Sequence, residues 1–318
     1  MSSLANDEAI MATNDDAASC KRFAIQLGYW KDPFLEHFVK AAERKAPEIN
    51  RGYFARVAGI KLLIDQFIEK TGMNCQIVNL GAGFDTLFWR LKLEKVNIKS
   101  FVDVDFPAVT SRKIHYIKNR KFLLDLLVQE DDEVQYSSSE MHCGNYHLVG
   151  GDLRELSELA GRLLPLLDST LPTLFLAECL LVYLDTQHSR ALLRWITSQF
   201  ASPLFINYEQ INIDDKFGHV MVDNLKKRSC TLFGTSSCKS IDTQKNRYMF
   251  LAEGWEEAKV WDMVKVYNSL PRIEVERVER LEFLDETELL HQLLQHYCIV
   301  VAYKGDSPEL QLNTIGFT

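Results

Sequence analysis

Short apolar runs recur along the chain at Gln76–Leu80, Ile98–Asp105, Tyr146–Gly150, Thr173–Ala177, Leu204–Tyr208, Arg272–Phe283 and Tyr297–Tyr303. Most are separated by stretches in which apolar residues return every three or four positions. Strand-like runs alternating with helical periodicity predict a doubly wound α/β fold built on a mostly parallel, seven-stranded sheet. The run from Thr173 is continuously apolar, as a central strand covered on both faces requires. The last two runs flank Asp285–Gln295, a short helical pattern, so mixed strand directions are expected at that edge.

Two segments stand outside this alternation. In residues 20–72, Tyr53, Phe54, Val57, Ile60, Ile64 and Phe67 recur at helical spacing between a candidate cap at Asn50 and a stop at Gly72. The second is 209–271, far longer than the two to six residues of an ordinary connection. It contains an amphipathic piece, Phe217–Val220–Met221–Leu225, and a break at Gly234–Ser240. We expect one domain over 20–318, with 20–72 an N-terminal helical cap and 209–271 an inserted helical lid over the substrate site. The Ala-, Asn- and Asp-rich residues 1–19 are expected to form a disordered tail.

Chemistry enters at Gln76–Thr86, where the first strand run stops at Gly81-Ala82-Gly83 and a helical pattern follows. Such glycines take positive φ or let the backbone touch a ligand, and the next helix aims free N–H groups at the same place. A dinucleotide fingerprint needs a third glycine where this chain has Thr86, and Asp85 stands in the turn. That carboxylate suits a ligand with a cationic end, such as S-adenosylmethionine. Asp103 and Asp105 close the second strand at the distance from Gly81 where a carboxylate takes up ribose hydroxyls. Asp152 and Leu153 follow the third strand as an acceptor and an apolar wall for an adenine, or Asp152 is a helix cap. Glu178 ends the most apolar strand and needs a cationic ligand group or an arginine from a cap. Arg56, on the apolar stripe of the cap helix, needs an anion from the protein or the substrate. His115, His147 and His188 lack acidic or serine partners at recognisable spacing and read as surface or packing residues.

Composition narrows the classes. Hydrophobic residues make up 47% of 318, ample for one large core. A formal charge of −8 argues against a nucleic-acid scaffold. Cys20, Cys75, Cys143, Cys179, Cys230, Cys238 and Cys298 are odd in number with no zinc spacing, and read as free thiols of a reducing compartment. No targeting segment or membrane span is apparent, so a soluble, cytoplasmic monomer that binds neither nucleic acid nor membrane is expected.

Cys20-Lys-Arg-Phe, Gly28-Tyr-Trp, Arg44-Lys-Ala-Pro-Glu-Ile-Asn-Arg-Gly-Tyr-Phe-Ala-Arg56, Asn79-Leu-Gly-Ala-Gly-x-Asp-Thr86, Val104-Asp-Phe-Pro107, Ala177-Glu-Cys179 and Asn207-Tyr-Glu-Gln210 resemble, in order, the leucine carboxyl methyltransferase family. The resemblance implies a Rossmann-like class I fold and S-adenosylmethionine as cofactor. Its implied substrate and partner is the type-2A protein phosphatase catalytic subunit. The C-terminal leucine carboxylate of that subunit is methyl-esterified, which regulates holoenzyme assembly, and the subunit's active-site face is expected to touch the enzyme. By the same resemblance Lys21, Arg56, Gly81, Asp105, Asp152, Leu153 and Glu178 fall on cofactor-binding positions, and Gly83 belongs to the same turn. Gln129–Glu133 and Met141–Tyr146 match nothing functional and read as exposed loop.

A chain-terminal carboxyl has a reference pKa of about 3.3–3.7, so it is ionised at neutral pH and needs no general base. Arg56, aided by Lys21, is expected to pin it, with Tyr183 and Tyr208 donating hydrogen bonds at the strand ends. The rivals are transfer to another carboxylate or small molecule, a nucleotide-linked oxidoreductase, and a non-catalytic scaffold that binds phosphatase tails.

Overall fold

The computed structural model describes residues 3–40, 43–128, 133–237, 239–248 and 254–318. Its strands are β1 (Gln76–Leu80), β2 (Ser100–Asp105), β3 (Gln135–Tyr136), β4 (Glu140–Cys143), β5 (Tyr146–Gly150), β6 (Thr173–Glu178), β7 (Pro203–Gln210), β8 (Glu257–Asp262) and β9 (Tyr297–Tyr303). The helices are α1 (Ser3–Gln26), α2 (Pro47–Thr71), α3 (Leu87–Leu93), α4 (Pro107–Lys118), α5 (Lys121–Leu124), α6 (Leu156–Leu163), α7 (Thr186–Gln199), α8 (Lys216–Lys227), α9 (Ile241–Asn246), α10 (Met263–Ser269), α11 (Arg272–Glu279) and α12 (Thr287–Gln295).

The strands form one nine-stranded sheet in the order β3-β4-β5-β2-β1-β6-β7-β9-β8. From β5 through β7 neighbours run parallel, and the outer pairs are antiparallel. Strand succession reverses between β1 and β6, so the crevice at their carboxyl ends is where a doubly wound sheet binds its ligand. Alternate residues of the central strands feed two cores. Ile77, Leu174, Leu176 and Ile206 pack under α2, while Val78, Phe175, Ala177 and Phe205 pack against α7.

Five expectations change. The sheet has nine strands, since β3, β4 and β8 join it and Arg272–Phe283 does not, and Met141–Tyr146 is no exposed loop: β4 and β5 form a hairpin turned by Gly144 at φ 53°, with Met141, Cys143 and Tyr146 buried. Arg272–Phe283 holds helix α11, not a strand. Its Ile-Glu-Val-Glu alternation imitates a strand, but Pro271 starts a helix in which Val278 is buried and Ile273 is 77% exposed. Asn50 is not a cap. Helix α2 begins at Pro47 after Ala46 and closes at Gly72 with φ 56°, and the Asn50 amide donates to Glu282 at 2.8 Å inside the helix. Segment 209–271 is not wholly helical, since β7 runs to Gln210, and β8 joins the sheet edge. The N-terminal residues from Ser3 are helical rather than a disordered tail. Polar bonds hold this helix, and its buried apolar side chains among those described are Ala18 and Ala24, so no apolar stripe announces it. Residues 129–132 of the expected loop lie outside the described residues, as does Cys238. Cys20, Cys75, Cys179 and Cys230 are free thiols, and no described helix is long and apolar enough to cross a membrane.

Candidate active site

The turn after β1 takes the left-handed conformation at both glycines, with φ 64° at Gly81 and 49° at Gly83. A Cβ on Gly81 would meet Leu180 Cδ1 at 2.8 Å, and one on Gly83 would collide with Asn14 of α1. The positive φ favours glycine at both positions, and a side chain there would also have to push Leu180 or Asn14 aside. At the end of β2, Asp105 accepts from the Gly83 N–H and from the Phe106 N–H, each at 2.7 Å. Each oxygen keeps a further lone pair. Burial pushes this carboxyl up to about 6 despite those bonds.

Asp103 has another task. Buried, it takes Lys113 Nζ at 2.8 Å, the Tyr146 hydroxyl at 2.7 Å and the Asn79 amide at 3.1 Å. Lys113 in turn donates to the Asp85 carbonyl at 2.8 Å. This closed network braces the turn from below. The Asp85 side chain accepts the Leu87 N–H at 2.7 Å at the start of α3, and its cationic neighbour is Lys21 at 3.7 Å.

Glu178 at the end of β6 meets the arginine its burial demands. Arg56 Nε of α2 donates to it at 2.6 Å and Lys21 Nζ of α1 at 3.3 Å. Burial works to raise its pKa, but the two cations hold it down at about 2. The guanidinium also lies over Tyr208, with its carbon 4.6 Å from the ring centroid. Tyr208 stacks on Tyr297 with centroids 5.2 Å apart. The expected hydrogen-bonding role of Tyr208 is revised accordingly: it does not line the cleft but forms the bed beneath Arg56. Tyr183 does line the cleft, and burial raises its pKa. No hydrogen bond engages the terminal nitrogens of Arg56 among the described residues.

A cleft of about 570 Å³ joins these groups, with Gly81, Asp105 and Glu178 on the sheet side and Arg56 and Tyr53 on α2. Its lining also includes Phe217, Met221 and Leu225, one face of α8, with Leu293 and Tyr297, and the Tyr297 hydroxyl lies 3.7 Å from Met221 Sδ. A smaller compartment of about 40 Å³ adjoins Asp105, with Asp152, Leu153 and Phe106 in its lining. Asp152 is not the cap of α6, which Glu155 supplies. It grips Arg154 through bonds of 2.6–3.0 Å, which lower its pKa against the effect of burial. The structure thus gathers Lys21, Arg56, Gly81, Gly83, Asp105, Glu178 and Tyr183 around one cleft, with Asp152 and Leu153 in the adjoining compartment, and leaves Asp103 and Tyr208 behind its walls.

Two contributors escape a reading of the sequence. Asn14 Oδ1 accepts the Phe84 N–H at 2.8 Å, which docks α1 on the glycine turn. Asp32 accepts from the Thr86 hydroxyl at 2.5 Å and from the backbone of Phe34 and Leu35 at 3.0 and 3.3 Å. Both act across long sequence separations. The available signal was Lys21, because a lysine expected to bind ligand cannot work from the edge of a disordered tail.

A glycine turn, a strand-end aspartate and a crevice at the sheet's reversal are where a doubly wound sheet binds its ligand, and the fold is that of a class I methyltransferase. A Thermobifida fusca protein provisionally described as a methyltransferase shares the fold, with TM-score 0.53 at 12% identity over 85% of this chain and 93% of the other. The family model for leucine carboxyl methyltransferase matches residues 9–197. Leucine carboxyl methyltransferase 1 of Rattus norvegicus is 47% identical over 98% of this chain and 94% of the relative, and that of Bos taurus 48% over the same shares. The chain belongs to the leucine carboxyl methyltransferase family, and is an S-adenosylmethionine-dependent carboxyl methyltransferase.

Proposed function

We propose that this chain methyl-esterifies the α-carboxylate of the C-terminal leucine of a type-2A protein phosphatase catalytic subunit, in the cytoplasm, and thereby regulates assembly of the phosphatase. The observation that carries the reading is Arg56: a guanidinium held by Glu178 and Tyr208, its terminal nitrogens unpaired among the described residues, in a cleft that apolar side chains of α8 also line. A cation beside an apolar wall fits a chain-terminal carboxylate bearing an aliphatic side chain.

The residues also fit the cofactor. Asp105 has two lone pairs left at a strand end for ribose hydroxyls, and a Gly81–Gly83 turn with no Cβ at either glycine lets a ligand approach closely. Asp152 and Leu153 offer an acceptor and a wall for the adenine, and Glu178 with Lys21 an ion pair for the amino-acid end. When bound, S-adenosylmethionine supplies an electrophilic methyl group. Arg56 would orient the incoming carboxylate, Tyr183 would donate to it, and α8 with Leu293 would exclude water. Among the described residues no histidine lines the cleft, and an ionised carboxylate needs no proton removed. The grip on the nucleophile must be moderate, because full neutralisation would lower its reactivity. Positioning within about 3–3.5 Å of the methyl carbon is the main contribution available.

The test is transfer of labelled methyl from S-adenosylmethionine to the intact phosphatase catalytic subunit, to the subunit lacking its last leucine, to a leucine-ended peptide and to small carboxylic acids. Label on the intact subunit, lost with the leucine, supports the reading. Equal transfer to small carboxylic acids would replace it.

A further inference from the structure

α1 is held by polar bonds to every side of the cleft. Asp15 takes Arg112 of α4 through bonds of 3.0 and 2.7 Å, and Asp7 takes Arg154 beside β5 through bonds of 3.0 and 2.8 Å. Asp16 pairs with Arg228, next to the end of α8, and Asn6 Oδ1 accepts the Thr231 N–H at 2.9 Å. Asn14 adds the bond to the glycine turn. Between these anchors Met11, Asn14 and Ala17 line the main cleft, and Ile10 lines both it and the compartment beside Asp105 and Leu153.

We infer that α1 is both a wall of the methyl-donor site and its gate: the donor enters and its product leaves when this helix undocks, and Asp7, Asp15 and Asp16 are the latch. The inference rests on the reading that the cleft takes S-adenosylmethionine. A nucleoside held by Asp105 and Leu153 would lie beneath Ile10, so the helix stands in its exit. The means of attachment suits repeated opening. Exposed ion pairs are individually weak and screened by salt, whereas an apolar stripe would hold the helix shut and would not respond to ionic strength in this way. The apolar side chains of α1 that join the core are Ala18, Ala24 and Ile25, so the stretch from Asp7 to Ala17, which carries the latch and covers the cleft, can lift away without uncovering the core beneath the sheet. The latch also spans both sides of the cleft, because Arg112 and Arg154 belong to the sheet side and Arg228 to the α8 side. Closing α1 therefore draws α8 and its apolar face toward the cofactor, which ties cofactor retention to formation of the substrate wall.

Stopped-flow measurement of S-adenosylhomocysteine association and release tests the gate. Asp15 and Arg112 are 43% and 46% exposed and lie outside the cleft lining, so their substitution leaves the binding groups in place. At low salt Asp15→Lys is expected to speed both association and release by about two- to fivefold, the range of one exposed pair. Asp15→Lys combined with Arg112→Asp restores both rates, and raising salt accelerates the unaltered protein more than Asp15→Lys. Faster release with unchanged association would leave α1 a static wall and overturn the gate. Unchanged rates in the variant and with salt would overturn the latch. Failure of the unaltered protein to bind S-adenosylhomocysteine at all would instead remove the reading of the cleft, and the gate with it.

Discussion

Replacing Asp105 by asparagine separates function from stability at one residue. In the folded protein burial pushes this carboxyl up to about 6 from an ordinary 3.8, so its ionised form is the disfavoured one. A gap of roughly two units corresponds to about 3 kcal/mol, and the sign follows from linkage: an acid whose folded pKa is raised destabilises the fold above that pKa and ceases to do so as pH falls through the window from 6 to 4. The substituted amide would carry no such charge, but only one of its two polar atoms can accept. One of the Gly83 and Phe106 N–H groups then loses its partner, at a cost of about 1–3 kcal/mol. The two effects offset, and the melting temperature at neutral pH should move little. Binding should not be spared. A charge-assisted bond to a ribose hydroxyl is worth about 1.5–3 kcal/mol, so S-adenosylhomocysteine should bind roughly ten- to a hundredfold more weakly. The free protein should also lose affinity as pH falls below about 6, by up to tenfold per unit, with Asp105→Asn insensitive over the same range. Isothermal titration from pH 5 to 8 beside thermal melts measures all three. An asparagine variant that binds normally, or that keeps the pH slope, refutes the assignment of Asp105 to the ribose.

Arg56→Lys keeps the charge, which matters because stripping one partner from a buried ion pair costs about 3–5 kcal/mol, yet it cannot reach Glu178 through a planar fork while lying on Tyr208. Methyl transfer should fall at least about tenfold with a nearly unchanged melt, and a variant that melts early but turns over normally in the cold would make Arg56 structural. Tyr208→Phe should retain near-normal kcat, because the ring beneath Arg56 is what acts, whereas Tyr208→Leu should lower it; a large loss in the phenylalanine variant would return a catalytic role to the hydroxyl. With Glu178 held down at about 2 and an already ionised substrate carboxylate, single-turnover transfer at saturating cofactor should show no acidic limb between about pH 6 and 8. A limb abolished by replacing one histidine would reveal a missed base.

The central strands and the glycine turn were legible because buried parallel strands write continuous apolar runs, and Gly81, Asp105 and Glu178 interrupt them at the ligand end. The edges were not. β8 reads Glu-Ala-Lys-Val-Trp-Asp, with three charged side chains divided between its two faces, so its hydrophobicity resembles that of a surface loop. α11 carries a period of two over its first residues, while its helix starts after Pro271 and has Val278 as its buried residue, too little for a helical period to register.

The same blindness hid α1, and its cause bears on how the site works. Periodicity detects elements that must stay docked, since burying an apolar stripe is what writes the pattern. α1 has no such stripe, although it contributes Lys21 to Glu178 and Asn14 to the glycine turn. An element whose polar bonds can be exchanged for water at small cost is free to leave, and one covering a cofactor that must be replaced at every turnover has to be. Arg56 and Tyr208 show the opposite arrangement. α2 buries Phe54, Ile60, Leu63, Ile64 and Phe67 to fix the guanidinium over its aromatic bed, and that stripe was plain in the sequence. The residues proposed to position the reacting carboxylate thus stand on a permanently packed helix, and those that close over the cofactor on a loosely held one. This division fits a reaction that needs no proton transfer and draws its acceleration from alignment and the exclusion of water.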